Sequence, residues 1–283
     1  MAVGGLLAGA LVWGLIWYPF RVLDASGVTG LAATVYSYGI ALLIGLLIYG
    51  PVWREWRLAG WGGAVLILAA GWANLGYVLA MLEGEVMRVL LLFYLAPLWT
   101  VLLARLLLGE RLNRHGYGVI ALSLSGALVM LWQPEAGWPL PQNAAEWMGL
   151  TAGMSFALTN VLVRRADQLS IEFKSACIWF GSAALTLIAM LALGQGGNLR
   201  LVTEWWWLLG LLGIVLCATS LIVQFGLSNL SATRAIVLLL FELVFAAVAS
   251  WLLADEAMGL RETLGALLIA SASLLSGRMH PND

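Results

Sequence analysis

Glu242 is an acid with no charged neighbour in the seven residues before it or the twelve after it. It stands in "TRAIVLLLFELVFAAVASWLLADE", residues 233–256, a stretch apolar enough to lie within a membrane. A carboxylate at the centre of a spanning helix costs roughly 2.5–3.5 kcal/mol on insertion scales, so it must face protein or water rather than lipid. Its helical neighbours are Leu238, Leu239, Phe245, Ala246 and Ala249, and the small ones admit a second helix at close range. Two roles fit. Glu242 is a protonatable group beside a substrate path, or a hydrogen-bonded residue that ties its helix to a neighbour. Arg234 lies eight residues away, about 12 Å along a helix, too far for an ion pair within it.

Other polar and aromatic residues sit in apolar surroundings. Asn74, Asn160, Thr219, Ser220 and Gln224 offer donors and acceptors to a substrate or to neighbouring helices. Trp13, Trp17, Tyr77 and Tyr94 could line a path for a small zwitterion or an aromatic compound. Arg88 and Arg234 each open an apolar segment, where a cation opposes the helix macrodipole. They either snorkel to headgroups or act as a pair of gates. Glu83 and Glu85 lie beside Arg88 in a short loop, either solvated or lining a mouth. Cys177 and Cys217 read as reduced packing residues. His115 and His280 lack metal-ligand spacing, and no G-x-S-x-G, H-E-x-x-H or P-loop pattern occurs. No enzyme activity, cofactor or metal is expected.

The segments that hold these residues follow from composition. The 283 residues are 62% hydrophobic and 10% charged, and mean hydropathy is +0.95. Soluble domains carry about a quarter charged residues, so the chain lacks the polar surface to cover a water-facing globule. The net charge of −1 is uninformative, no basic patch suggests nucleic acid as a partner, and the composition points to the lipid bilayer. A spanning helix needs about 20 apolar residues. Ten such segments are expected: 3–20, 29–49, 60–82, 86–108, 116–132, 147–163, 173–193, 205–227, 233–253 and 261–277. The first reads as a span rather than a cleaved signal, since it has no basic lead-in.

Orientation follows from Arg and Lys. With the N-terminus inside, ten basic residues fall inside and four, Arg21, Arg88, Arg200 and Arg261, outside. Both termini are therefore expected in the cytoplasm. Nine of the fifteen tryptophans, including Trp53, Trp61, Trp138 and Trp205, fall at segment ends, as interfacial indoles do.

The chain also repeats. "MRVLLLFYLAPLWTVLLARLLLGE" (87–110) aligns with residues 233–256 at an offset of 146 without a gap, matching Arg88 to Arg234 and Glu110 to Glu256. At an offset of 143, "GALVWGLIWYPFR" (9–21) pairs Trp13 with Phe156 and Trp17 with Asn160. Five spans per half is an odd number, so the halves, 1–144 and 145–283, must be inverted. Inverted repeats serve alternating access.

Segments ending in "LLLGERL" or "LLADEAM", the "VWGLIW" of the first span and "FELVFAAVASWLLADE" resemble the EamA-type repeat of the drug/metabolite transporter superfamily. The resemblance covers about 3–132 and 147–277. It implies an inner-membrane transporter of ten helices, with a cavity lined mainly by spans 1, 3, 4, 6, 8 and 9. Three departures stand out. The Pro common after the ninth-span acid is Leu243, its counterpart appearing in the fourth span as Pro97. The second span, "TVYSYGIALL", lacks the family's Arg. The first span lacks the Glu of the four-span multidrug relatives, carrying Trp13, Trp17 and Tyr18 there, so a cation/proton antiport mechanism of that kind is disfavoured.

The expected protein is an all-α polytopic membrane protein of two inverted five-helix repeats. It exports amino acids or related small metabolites by alternating access, with proton coupling through Glu242 as one mechanism. An importer of the same fold and a membrane subunit that does not transport are the alternatives. The sequence leaves oligomeric state open.

Overall fold

The computed structural model describes residues 1–50, 52–132, 140–196, 204–253 and 259–280, and among these there is no strand. Twelve α-helices follow one another. The first half contains α1 (Ala2–Ala25), α2 (Gly30–Tyr49), α3 (Trp56–Glu83), α4 (Val86–Phe93), α5 (Ala96–Leu107) and α6 (Arg114–Leu131). The second contains α7 (Ala144–Arg165), α8 (Ile171–Ala192), α9 (Trp206–Asn229), α10 (Ala232–Leu239), α11 (Phe241–Leu253) and α12 (Leu260–Leu275). Polar caps start several of them. Thr29, Asn113, Asn143 and Ser170 each accept from a backbone N–H three residues on, as N-caps do.

Eight stretches are long and apolar enough to cross a membrane. α7 is not among them, being made more polar by Thr151, Asn160 and the arginines that end it, and α12 has only 16 residues. The bundle exposes large apolar side chains around its flanks, such as Leu47 at 84% and Leu274 at 86%. In water so much exposed Leu and Ile would drive association. Against acyl chains it costs nothing.

Two expected spans are broken. Residues 86–107 divide into α4 and α5 at Tyr94–Leu95, and 232–253 divide into α10 and α11 at Leu240. The first break has a covalent cause. Pro97 has no N–H to give the Phe93 carbonyl, and its ring clashes with that carbonyl. The second break has no proline. There the Leu243 N–H bonds to the Leu240 carbonyl three residues back, at 3.1 Å. Adding 146 to the bounds of α4 gives those of α10, so the breaks fall at one register.

Packing is similarly paired. α3 packs on α7 and α8, while α9 packs on α1 and α2. α5 packs on α7, and α11 on α1; α2 meets α8, and α6 meets α12. Backbones touch where glycines allow it. A Cβ on Gly181 of α8 would lie 2.2 Å from the Ile67 carbonyl of α3, and one on Gly71 would lie 2.5 Å from the Gly181 carbonyl. Lipid tails offer no hydrophobic drive for helix association, so such close approach supplies the contact.

The first and last described residues lie at one end of the bundle. His280 bonds to the Ser231 hydroxyl before α10, and Ala2 packs on Gly226 near the end of α9.

Candidate functional site

The two helix breaks meet. Tyr94, the residue that ends α4, donates its phenolic hydrogen to Glu242 Oε1 at 2.9 Å. Glu242 lies in the first turn of α11. The break therefore moves the acid from the middle of a helix to the N-terminus of one, where the macrodipole favours negative charge. Between them lies a cavity of about 220 Å³ of empty space, lined by Phe93, Tyr94, Phe156 and Glu242, with Ile236, Leu239 and the break residues Ala96 and Leu240. Part of that space is open to the outside and the enclosed part has room for about one water molecule, so a bound metabolite requires the walls to part.

An aromatic wall continues from this cavity through four helices. Phe156 of α7 stands 6.2 Å from Trp13 of α1, edge to face, and 5.7 Å from Phe93 of α4. Phe93 in turn meets Tyr77 of α3 at 4.9 Å and Tyr94 at 5.4 Å. Trp13, Tyr77, Tyr94 and Glu242, proposed separately from sequence, are thus joined into one cluster. Phe93 and Phe156 are the links that sequence reasoning missed as site residues. The one available signal for Phe156 was its repeat register with Trp13.

Two glycines let the surrounding helices close in. A Cβ on Gly153 of α7 would lie 2.3 Å from the Phe93 carbonyl, and one on Gly14 of α1 would lie 2.8 Å from the Glu242 carbonyl. Each broken helix thus presents its loosened backbone to a small residue of the opposite half.

The other candidates are placed elsewhere. Asn74 donates to the Tyr38 hydroxyl at 3.2 Å, linking α3 to α2, and its Oδ1 is buried with no partner. Trp17 stacks edge to face on Tyr18 at 5.7 Å. Asn160 Nδ2 and Gln224 Oε1 are buried without partners. Both sit one helical turn before a contact in which Arg164 donates to the Ser228 carbonyl. Thr219 and Ser220 are buried on α9.

Arg88 and Arg234, matched in sequence, differ in surroundings. Arg88 holds Glu146 in a two-pronged ion pair, Nε to Oε1 at 2.7 Å and Nη2 to Oε2 at 2.9 Å, and also donates to the Leu140 carbonyl. Glu146 further accepts from the Gln142 N–H and from Asn143 Nδ2. The pair is buried and ties the start of α4 to the start of α7. Arg234 has a buried Nε without a partner.

Further polar contacts between the halves lie at the end that carries the termini. The Glu110 carboxylate accepts from the Ala232 N–H at 2.9 Å, the Thr233 N–H at 3.3 Å and the Thr233 hydroxyl at 3.0 Å. His280 contacts Thr233 and Ser231, and its Nδ1 lies 3.2 Å from the Arg111 carbonyl. Glu55 accepts from the Ser170 N–H and hydroxyl. There α10 packs on α5 and α7, and α7 on α9. Exchanging the halves would require α4 to pack on α11 and α1, and α1 on α3. These pairs make almost no contact among the described residues. At the other end the halves are joined by the Arg88–Glu146 pair and by the packing of α4 on α7. Glu256, the match of Glu110, and Arg200 lie outside the described residues. No group of His, Cys, Asp and Glu that could hold a metal occurs among the described residues.

A multi-pass helical membrane protein with paired broken helices around an acidic, aromatic cavity has the features of a membrane transporter. The comparisons with known proteins agree. The EamA-like transporter family matches residues 1–132 and 143–278, and the chain belongs to that family. It is 28% identical over 205 residues to an uncharacterised transporter of Archaeoglobus fulgidus, spanning 71% of each chain. It is 27% identical over 172 residues to an uncharacterised transporter of Pseudomonas aeruginosa, spanning 56% of this chain and 53% of that one. A solved crystal structure superposes with a TM-score of 0.78 at 18% identity, covering 98% of this chain and 96% of its own, a likeness of fold.

Proposed function

We propose that this transporter moves small metabolites, amino acids or related compounds, by alternating access through the Glu242 cavity. The observation that carries the reading is the meeting of two helix breaks, at one repeat register, around a carboxylate inside the bundle. Broken helices of this kind form substrate sites at the repeat interface of secondary transporters. On this reading the helices are ten spans, with α4–α5 and α10–α11 each one span, arranged as inverted repeats 1–144 and 145–283. The reciprocal packing of α2 with α8 and α6 with α12 supports it, as does the meeting of the repeat mates Trp13 and Phe156.

The ten-to-four bias of basic residues supports cytoplasmic termini in an inner membrane. The contacts of Glu110 and His280 then form an inner gate. Arg88, through Glu146, joins the two halves at the opposite side, in keeping with a gate there. Export is the direction the family resemblance favours, and Glu242 is the group available to carry a proton in exchange.

The test is flux. Purified full-length protein in proteoliposomes should move at least one compound from a panel of labelled amino acids and amines, faster when a pH gradient drives it. A folded protein that moves none overturns the proposal. If Glu242→Gln leaves flux and its pH dependence unchanged, the coupling role fails.

A further inference from the structure

The chemistry of the cavity narrows the substrate class, and this step rests on the proposed transport function. We propose that the Glu242 cavity takes an organic monocation, an ammonium group on an aromatic or apolar body, in preference to a zwitterion or an anion. Three observations point there.

The first is the combination of wall materials. Phe93, Tyr94 and Phe156 surround one carboxylate, and the remaining lining is aliphatic. Aromatic faces attract ammonium groups through the ring quadrupole, most strongly when desolvated. A carboxylate in the same cavity supplies the counter-charge.

The second is the absence of anything to receive a substrate carboxylate. No Lys, Arg or His lines the cavity. Among the described residues the basic side chains sit at helix ends or in loops, and the guanidinium of Arg88 is engaged by Glu146. The helix N-terminus at the first break could have served an anion, but Pro97 occupies its opening turn and lacks an N–H. Glu242 stands in the first turn of α11, where its negative charge opposes a second anion.

The third is the backbone. α4 ends at Phe93 and α10 at Leu239, and both residues line the cavity. The C-terminal ends of two helices carry partial negative charge, which favours a cation.

A cation seated here and a proton on Glu242 exclude each other. The titratable groups around Glu242 are Tyr94, which donates to it, and Tyr77, behind Phe93. Amines formed by decarboxylation of aromatic amino acids have the preferred chemistry, since that reaction removes the carboxylate for which the cavity lining offers no cationic partner.

Equilibrium binding to full-length protein in nanodiscs tests the proposal with three probes of one shape: phenethylammonium, benzyltrimethylammonium and phenylalanine. Both cations should bind at least tenfold more tightly than phenylalanine, and more weakly as pH falls. Glu242→Gln should weaken the cations at least tenfold, Glu242→Asp less. Phe156→Leu, which keeps the charge and removes a ring, should also weaken them while the protein stays monodisperse. Phenylalanine binding as tightly as phenethylammonium, or cation binding unchanged in Glu242→Gln, overturns the proposal. Flux of metabolites without preference for cations removes this inference and leaves the transport function. Tight, Glu242-dependent cation binding without flux of any compound does the reverse.

Discussion

Removing the Glu110 carboxylate should loosen the termini-bearing end of the bundle by a measurable factor. Ser231, the residue preceding α10, makes no side-chain capping bond to that helix. Glu110 supplies the cap from the other half, through three bonds of 2.9, 3.3 and 3.0 Å to Ala232 and Thr233. Water can replace part of this, because Glu110 is only half-buried. Loss of an N-cap costs about 0.5–2 kcal/mol, and loss of an anion at a helix N-terminus adds about 0.3–1 kcal/mol. A net bias of about 1–2 kcal/mol corresponds to a roughly 5- to 30-fold shift toward the state open at that end. The assay is thiol accessibility. With Cys177 and Cys217 replaced by Ala, Gln224→Cys reports on the space behind that end, one turn from Ser228. An impermeant maleimide applied from the termini-bearing side should label the Glu110→Ala protein roughly 5 to 30 times faster. Glu110→Gln, which keeps one acceptor oxygen, should fall between. Equal labelling rates in folded Glu110→Ala and its parent would show that this contact does not hold the end closed.

Three further outcomes are expected. Arg88→Met or Glu146→Met alone should cost about 3–5 kcal/mol, because each leaves a buried charge unpaired, while the double replacement should cost less than either; thermal melts in detergent check the order. Gly153→Leu should destabilise the protein and reduce flux, since its Cβ would lie 2.3 Å from the Phe93 carbonyl, whereas Gly39→Ala, with open space around it, should be neutral in both assays. His280→Ala should raise labelling at Gln224→Cys, but less than Glu110→Ala, because Glu110 still caps α10.

The helical fold was legible because lipid imposes one simple rule. Every apolar run of about 20 residues must satisfy its own backbone, and a helix does so. Eight of the ten expected segments fall on single helices and two, 86–108 and 233–253, on two helices each, with α4 and α10 bounded at one register. The breaks were less legible. Pro97 announced one, but at the second position Leu243 offered an unbroken helical pattern, and the break appears only where α10 and α11 pack against other helices. Propensity rules describe one chain segment at a time, so a break imposed by packing leaves no local mark.

The same limit divides the site residues. Glu242, Tyr94, Tyr77 and Trp13 were visible because charge and aromatic rings are conspicuous in an apolar run. Phe93 and Phe156 were not, since a phenylalanine in a membrane helix usually means packing and nothing local distinguishes one that lines a cavity. Glu146 was hidden for another reason. It lies at the end of a loop, where an acid is ordinarily solvated, and only its distance from Arg88 reveals a buried ion pair.

The second break alters the meaning of Glu242. Within an unbroken helix its carboxylate would lack the dipole support that the N-terminus of α11 provides. The break thus stabilises the charge that the apolar setting penalises. It also ends α10 beside the cavity, so a negative helix terminus and a carboxylate face the same small space. A transported cation would relieve both, and a proton would relieve one. On the proposed function, that difference would let substrate and proton bias the same two helices to different extents, provided each favours one conformation over the other.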